Sequence, residues 1–436
     1  MKRHLQGLVR KTLLRLVPAQ TLDLSALDKV PDSLGWPLRR DGFDPPARLA
    51  ETRSDDPVHH LTTLLGMNVW LVTGLAEGRR VLMDPKAYST DIRPYVGKRG
   101  AADGDIGGLG FTDPPDHTRL RKLITPEFTM HRLARIRPMV SGIVDRQLDE
   151  IASAARAGGP VDLVPTFAFP VPFLVICELL GLPDHDREVF RELGSARFDV
   201  TGGGTGTLGA ISESREFLKE ATARQRREPG PGLIGQIIRE HGDEISDYDL
   251  AGLADGVFTG GMETSAGMLA MGSAVLLGDR DSWRRLRDDD ASVEPIVEEL
   301  LRYLSVVQVA FPRFAKEDRT VGTHLVRKGD VVLVSIPGVN RDPAAFGDNA
   351  DAFDPERPAV PHLAFGHGLH RCIGSELARM ELRAAFPGLA RRFPDMELAG
   401  GDLGFRQSSI VYGVDQVPVF PEGEARVSVG ADPRSA

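Results

Sequence analysis

The chain has 436 residues, with 53 Lys and Arg against 62 Asp and Glu, and a net charge of −9. That acidic balance excludes a general nucleic-acid binder, while 41% hydrophobic and 26% charged residues are ordinary for a soluble globular protein of one large fold or two domains. Only two cysteines, Cys177 and Cys372, are present, which excludes a disulfide framework and fits a reducing cytoplasm.

In residues 1–24, Lys2, Arg3, Arg10, Lys11 and Arg15 alternate with Leu5, Leu8, Val9, Leu13, Leu14, Leu16 and Val17. This predicts a basic amphipathic arm whose helix stops at Pro18. It is too interrupted for a signal-peptide core or a membrane span, and able at most to touch a membrane surface. Residues 25–422 show no linker, repeat or low-complexity segment and read as a single domain, followed by a short tail, 423–436.

Within that domain, Asp113-Pro114-Pro115 precedes a helical stretch from about Asp116, with a break near Pro126 and Glu127. Residues 138–156 predict a long helix with Pro138 in its first turn. The apolar stretch 167–182 carries Pro170 and Pro172 near its start and predicts a buried helix holding Cys177. The glycine- and threonine-rich segment 201–209 predicts a mobile loop. Ser246 and Asp249 form a capping-box pattern opening a helix over 247–277, and 293–303 is a further helix. A turn at Lys328-Gly329 leads into a strand over 330–336. The fold class is mainly α with a minor β-sheet region.

The most chemically specific segment is Phe365-Gly366-His367-Gly368-Leu369-His370-Arg371-Cys372-Ile373-Gly374. It sets a cysteine in a glycine-rich loop ahead of a helix-compatible stretch, where free N–H groups and the helix dipole favour a thiolate. The glycines let the backbone approach a large flat partner, so the loop suits a thiolate ligating iron beneath a planar cofactor. Residue types alone leave a buried structural cysteine and a zinc site open, since His362, His367 and His370 lie close by. Three zinc ligands from one loop are geometrically awkward, and the Cys-x-x-Cys-His pattern of covalent haem attachment is absent.

Three other constellations stand out. Glu299 and Arg302 share a helix face at i, i+3, which alone reads as a solvated ion pair. Gly260-Gly261-Met262-Glu263-Thr264 puts two glycines inside a helix at a cost of ~1 kcal/mol each, which a local widening beside a ligand would justify. Taken alone, Thr264 is a side chain bonding back to its own helix. His117 and Arg121, at i and i+4, are either surface groups or a pair suited to carboxylates.

Together these segments resemble the cytochrome P450 family from about Asp32 to Phe420, with the motifs in family order. Residues 365–374 match its haem signature, Phe-Gly-x-Gly-x-His-x-Cys-x-Gly, at every fixed position, including Phe365, Gly366, His370, Cys372 and Gly374. The resemblance implies a cytochrome P450 fold enclosing a b-type haem, iron protoporphyrin IX. Cys372 would be the axial iron ligand, with Phe365 packed near its sulfur. His117, Arg121, Arg313 and His370 would hold the propionates. Glu299, Arg302 and Arg357 would form a structural triad, and Glu263 with Thr264 the acid–alcohol pair that delivers protons to dioxygen. The implied enzyme is a soluble, cytoplasmic bacterial monooxygenase using O2 and two electrons from a ferredoxin or flavodoxin with its NAD(P)H reductase, docked near Arg119, Lys122 and Arg371. Substrate would meet segments 94–109, 198–208, 257–261, 306–311 and 408–412, with Arg93 and Asp199 as candidate charged anchors. The expected substrate is a medium-sized, largely apolar natural product of secondary metabolism, hydroxylated by default. Oxidative coupling of an aromatic or cyclic-dipeptide substrate is the alternative outcome, and a non-catalytic haem sensor the alternative class.

Overall fold

The structure, a computed structural model, describes residues 32–64, 66–91, 109–198, 208–407 and 409–423. The basic arm, Arg93, Asp199, nearly all of the 201–209 segment and all of the tail but Gly423 lie outside them.

Eight helices carry the argument: α1 (Leu75–Met83), α2 (Asp116–Ile124), α3 (Met130–Ala155), α4 (Pro170–Leu180), α5 (Leu208–Arg227), α6 (Asp247–Gly278), α7 (Val293–Leu304) and α8 (Ser375–Arg392). The longest, α6, starts where its capping pattern puts it, with the Ser246 hydroxyl accepting the Asp249 N–H at 3.1 Å. Asp247 and Asp249 sit in its first turn, where acids complement the positive end of the helix dipole. Leu250, Leu253, Phe258, Met262, Met268, Leu269 and Met271 are buried around its circumference. Such a helix belongs at the centre, and α6 packs against α4, α5 and α8. Each fully buried side chain of the size of Phe258 contributes roughly 1.5–3 kcal/mol to that core.

One helix departs from expectation. α3 begins at Met130 rather than at residue 138, because Thr129 caps it by accepting the Arg132 N–H at 3.4 Å. Pro138 therefore lies inside the helix, where a missing N–H costs ~3 kcal/mol. The stripe Leu133, Val140, Val144, Leu148 and Ile151 runs past it, and its burial, largely against α8, outweighs that cost.

The main sheet has five strands, β1 (Val58–Leu64), β2 (Met67–Val72), β3 (Tyr88–Ser89), β4 (Arg313–Ala315) and β5 (Val331–Val334), in the order β1-β2-β5-β4-β3. Only β2 and β5 run parallel, with Val69 opposite Val331. β5 stops short of residue 336 because Ser335 caps a short helix (Ile336–Asn340), its hydroxyl accepting the Gly338 N–H. Among the described residues no helix is long and apolar enough to cross a membrane.

Candidate active site

The cysteine loop is shaped by its own backbone before any side chain acts. The Cys372 N–H donates to the Phe365 carbonyl at 2.8 Å and the Gly366 N–H to the Leu363 carbonyl at 2.8 Å. Gly366 and Gly368 adopt left-handed φ values of 68° and 71°. At Gly368 a side chain is also excluded by α1, since a Cβ would lie 2.6 Å from the Leu82 carbonyl oxygen. The loop thus uses this glycine against its own protein. Cys372 is accessible to solvent, but protein atoms crowd its sulfur. That burial pushes the thiol up, against the Gly374 N–H and the charges of Arg121, Arg371 and Arg379. Crowding thus works against the thiolate and the Gly374 N–H and the three arginines work for it, and a bound metal ion, which deprotonates a coordinating thiol, would favour it further.

Beside the loop lies a crowd of basic groups brought together from three places in the chain. His117, on α2, is fully buried, and neither ring nitrogen has a hydrogen-bond partner among the described residues. Its ring lies 4.3 Å from that of His370. His370 donates through Nδ1 to the Leu109 carbonyl at 3.2 Å and meets the Thr90 hydroxyl at 3.4 Å. Arg313, buried on β4, makes one side-chain hydrogen bond among the described residues, to the Phe311 carbonyl at 2.6 Å. Arg121 donates to the Arg371 carbonyl at 2.7 Å. Burial drives His117 down to about 4, with the Arg121 charge adding to it. Burial likewise drives His370 down to about 4, helped by Arg313 and His117, and lowers Arg313 to about 10. A buried imidazole with two orphan nitrogens beside an under-used guanidinium calls for an anion. The two carboxylates of a haem fit that requirement. Two of the histidines of the zinc reading are committed elsewhere: His362 faces Glu298 at 3.3 Å and His370 holds Leu109. No group of three or more His, Cys, Asp or Glu able to hold a metal ion occurs among the described residues.

On α6 the two glycines have different uses. A Cβ on Gly261 would lie 2.6 Å from Ile176 Cδ1, so this residue lets α4 approach. A Cβ on Gly260 would meet nothing within 4 Å, so this one leaves open space. The helix remains α-helical through both, without the expected widening. Thr264 donates its hydroxyl to the Gly260 carbonyl at 2.8 Å. Glu263, with Arg406 and Tyr412, lines a cavity of about 30 Å³, room for about two waters.

Sequence reasoning missed Glu381. This α8 side chain is 2% exposed, is hydrogen-bonded by Ser265 of α6, and leaves Oε2 without a partner. Burial pushes its carboxyl up to about 8. The signal was present: Glu381 falls between Leu377 and Ala385 at i, i+4 spacing, on the buried face.

Glu299 and Arg302, both on α7, are buried rather than solvated. Arg302 grips both Glu299 oxygens at 2.7 Å and donates to the carbonyls of Asn340, Ala350 and Ala352 at 2.7–2.8 Å. Arg357 Nε reaches Glu299 Oε1 at 3.4 Å. Of the basic residues offered for partner docking, Arg119 is paired with Asp249 at 2.9 Å and ties α2 to α6. Residues 94–108, 199–207 and 408 of the substrate segments lie outside the described residues.

A family model for cytochrome P450 matches residues 216–398. Cytochrome P450 165B3 of Amycolatopsis orientalis is 37% identical over 390 residues, spanning 88% of this chain and 97% of the relative. The P450 monooxygenase PikC of Streptomyces venezuelae is 36% identical over 86% of this chain and 91% of its own. Among solved structures, the P450 StaH from biosynthesis of the glycopeptide antibiotic A47934 superposes with a TM-score of 0.77 at 39% identity, covering 88% of this chain and 99% of that one. OxyC, implicated in an oxidative C–C coupling reaction during vancomycin biosynthesis, gives 0.77 at 37% identity over 87% and 95% of the two chains. The chain belongs to the cytochrome P450 family, and it is a bacterial-type P450 monooxygenase. Membership implies a haem cofactor, and bacterial P450s work with a redox partner and a substrate.

Proposed function

We propose that residues 25–422 form one catalytic domain, flanked by the arm 1–24 and the tail 423–436, which binds b-type haem through Cys372 and oxidises a medium-sized, largely apolar natural product in the cytoplasm. The observation that carries the haem site is the buried His117 with no partner for either ring nitrogen, next to Arg313 and His370. Cys372 would ligate the iron, and His117, Arg121, Arg313 and His370 would receive the propionates. Phe365, Gly366 and Gly374 shape the loop that presents the sulfur. Once bound, the haem supplies oxygen activation, and the protein supplies ligand, proton path and substrate pose.

Thr264 commits its proton to the Gly260 carbonyl, so its oxygen is left as an acceptor beside the open space at Gly260. Glu263, on the same turn and bordering a cavity that can hold water, is the group from which protons would be drawn. Electrons would come from a ferredoxin or flavodoxin and its NAD(P)H reductase. The reduced, carbon monoxide-bound spectrum tests the site: a red-shifted Soret band in the wild type, lost in Cys372→Ser, is expected. A colourless protein overturns the reading.

Hydroxylation is the first outcome to look for. Oxidative coupling of aromatic rings is a second reading, favoured by the glycopeptide-biosynthesis relatives StaH and OxyC. Ligands that shift the iron from low to high spin would nominate substrates. Product mass then separates the readings, since hydroxylation adds one oxygen atom and intramolecular coupling removes two hydrogens.

A further inference from the structure

The cavity beside Glu263 is bordered by two opposite charges and otherwise by apolar groups. Its walls come from α6, from 164–169, and from Arg406 with 411–414. Tyr412 turns its hydroxyl away, donating to the Gly42 carbonyl at 2.9 Å, so Glu263 and Arg406 are the charged side chains of the lining. Arg406 is fixed by its backbone before its charge acts. Its N–H donates to the Gly413 carbonyl at 3.0 Å and the Asp415 N–H to the Gly404 carbonyl at 2.9 Å, so the two stretches lie side by side. Asp415 then accepts from Arg406 Nε at 2.8 Å. The Arg406 side chain is 10% exposed, and among the described residues Nη1 and Nη2 make no hydrogen bond.

A guanidinium buried to that degree with unused donors is costly unless something accepts from it. Waters held between a cation and a carboxylate are such acceptors, and the cavity of about 30 Å³ has room for about two. Glu263, Ala266, Gly267 and Ala270 put this chamber on one face of α6. Thr264, the next residue after Glu263, is turned about 100° further round the helix and is not in the lining. Glu263 therefore stands between the chamber and the Thr264 hydroxyl.

We propose that the chamber is the proton inlet of the site: about two waters bridge Arg406 to Glu263, and Asp415, 43% exposed, marks where the bridge meets solvent. The proposal rests on Glu263 being the proton source named above. Glu263 gives up its carboxyl proton on the Thr264 side, and its carboxylate takes one from the nearest chamber water. That water is replenished by the next and finally by bulk water, so one proton enters for each one delivered. Arg406 does not carry the proton, since a guanidinium stays protonated; it orients the water oxygens and stabilises the carboxylate between transfers.

The test uses haem-loaded protein with guaiacol as electron donor and either hydrogen peroxide or peracetic acid as oxidant, so neither redox partner nor native substrate is needed. Splitting the O–O bond of hydrogen peroxide expels water only if a proton reaches the departing oxygen, whereas peracetic acid expels acetate without one. The ratio of the two rates reads proton supply, and a purely structural loss lowers both rates together. Glu263→Gln is expected to lower the ratio about 100-fold, and Arg406→Met and Ala266→Val, which remove the cation and fill the chamber, about tenfold each. Either of the last two serves if the other does not fold. Arg392→Gln, which removes a surface cation paired with Asp149 at 2.8 Å, should leave the ratio in place. Crystals of the wild type should show the bridging waters, and crystals of Ala266→Val should lack at least one of them.

A dry chamber in the wild-type crystal overturns the inlet. So do wild-type ratios in Arg406→Met and Ala266→Val beside a fallen ratio in Glu263→Gln, or an equal fall in Arg392→Gln. An unchanged ratio in Glu263→Gln overturns instead the reading of Glu263 as proton source, and the inlet with it.

Discussion

Burial acts on two acids near the site in the same direction, with different consequences. At Cys372 it disfavours the thiolate, which a bound metal would restore. At Glu381 nothing restores the charge, so the carboxyl stays protonated up to about pH 8, against an ordinary value of 4.5. The folded protein thus binds a proton there that the unfolded chain releases between those values, and stability is lost as pH rises from 4.5 towards 8. Glu381→Gln keeps the shape and cannot ionise. Its stability advantage in denaturant melts should be small at pH 5, widen to pH 8 and then level off; a gap constant across that range would contradict this account. The opposite sign is expected at Arg302. Arg302→Met strands the buried Glu299 carboxylate and should cost ~3–5 kcal/mol, read as a fall in the denaturant midpoint or a failure to recover folded protein. The Glu299–Arg302 pair was visible in the sequence as residue types. Whether it was buried was not, because i, i+3 spacing looks the same on a wet helix face and on a dry one.

The helix α6 shows how far local pattern reaches. Its start was legible from Ser246 and Asp249, since an N-cap depends on neighbours three residues apart. The function of its glycines was not legible, because it depends on what another element places opposite each. Gly260→Ala fills open space and gains helix propensity, so thermal stability without haem should rise by up to ~1 kcal/mol while turnover falls. Gly261→Ala drives a methyl into Ile176 and should cost ~1–3 kcal/mol, partly recovered by Ile176→Val in the same chain. Thermal melts of the three variants check both signs. α3 makes the same point in reverse: Pro138 looked like a helix start, and only the buried stripe packed largely against α8 carries the helix through it.

At the scale of the molecule, the basic cluster is assembled from α2, β4 and the cysteine loop, which are far apart in sequence. It is held together by the fold at a cost, since the buried Arg313 guanidinium without an anion destabilises the protein when haem is absent. Arg313→Leu should therefore stabilise the haem-free protein by about 1–2 kcal/mol in denaturant melts and yet weaken haem retention through gel filtration. Loss of stability together with full retention would remove Arg313 from the site.

The sequence alone determined the family, the loop around Cys372 and the identity of the groups able to meet a haem. These rest on contiguous motifs and short helical spacings, whose geometry the chain itself fixes. Only the tertiary structure decided that Gly260 and Gly261 serve different ends and that Glu381 is buried between α8 and α6. Each of these depends on desolvation or close approach by a distant segment, and neither is encoded within any stretch of sequence short enough to read.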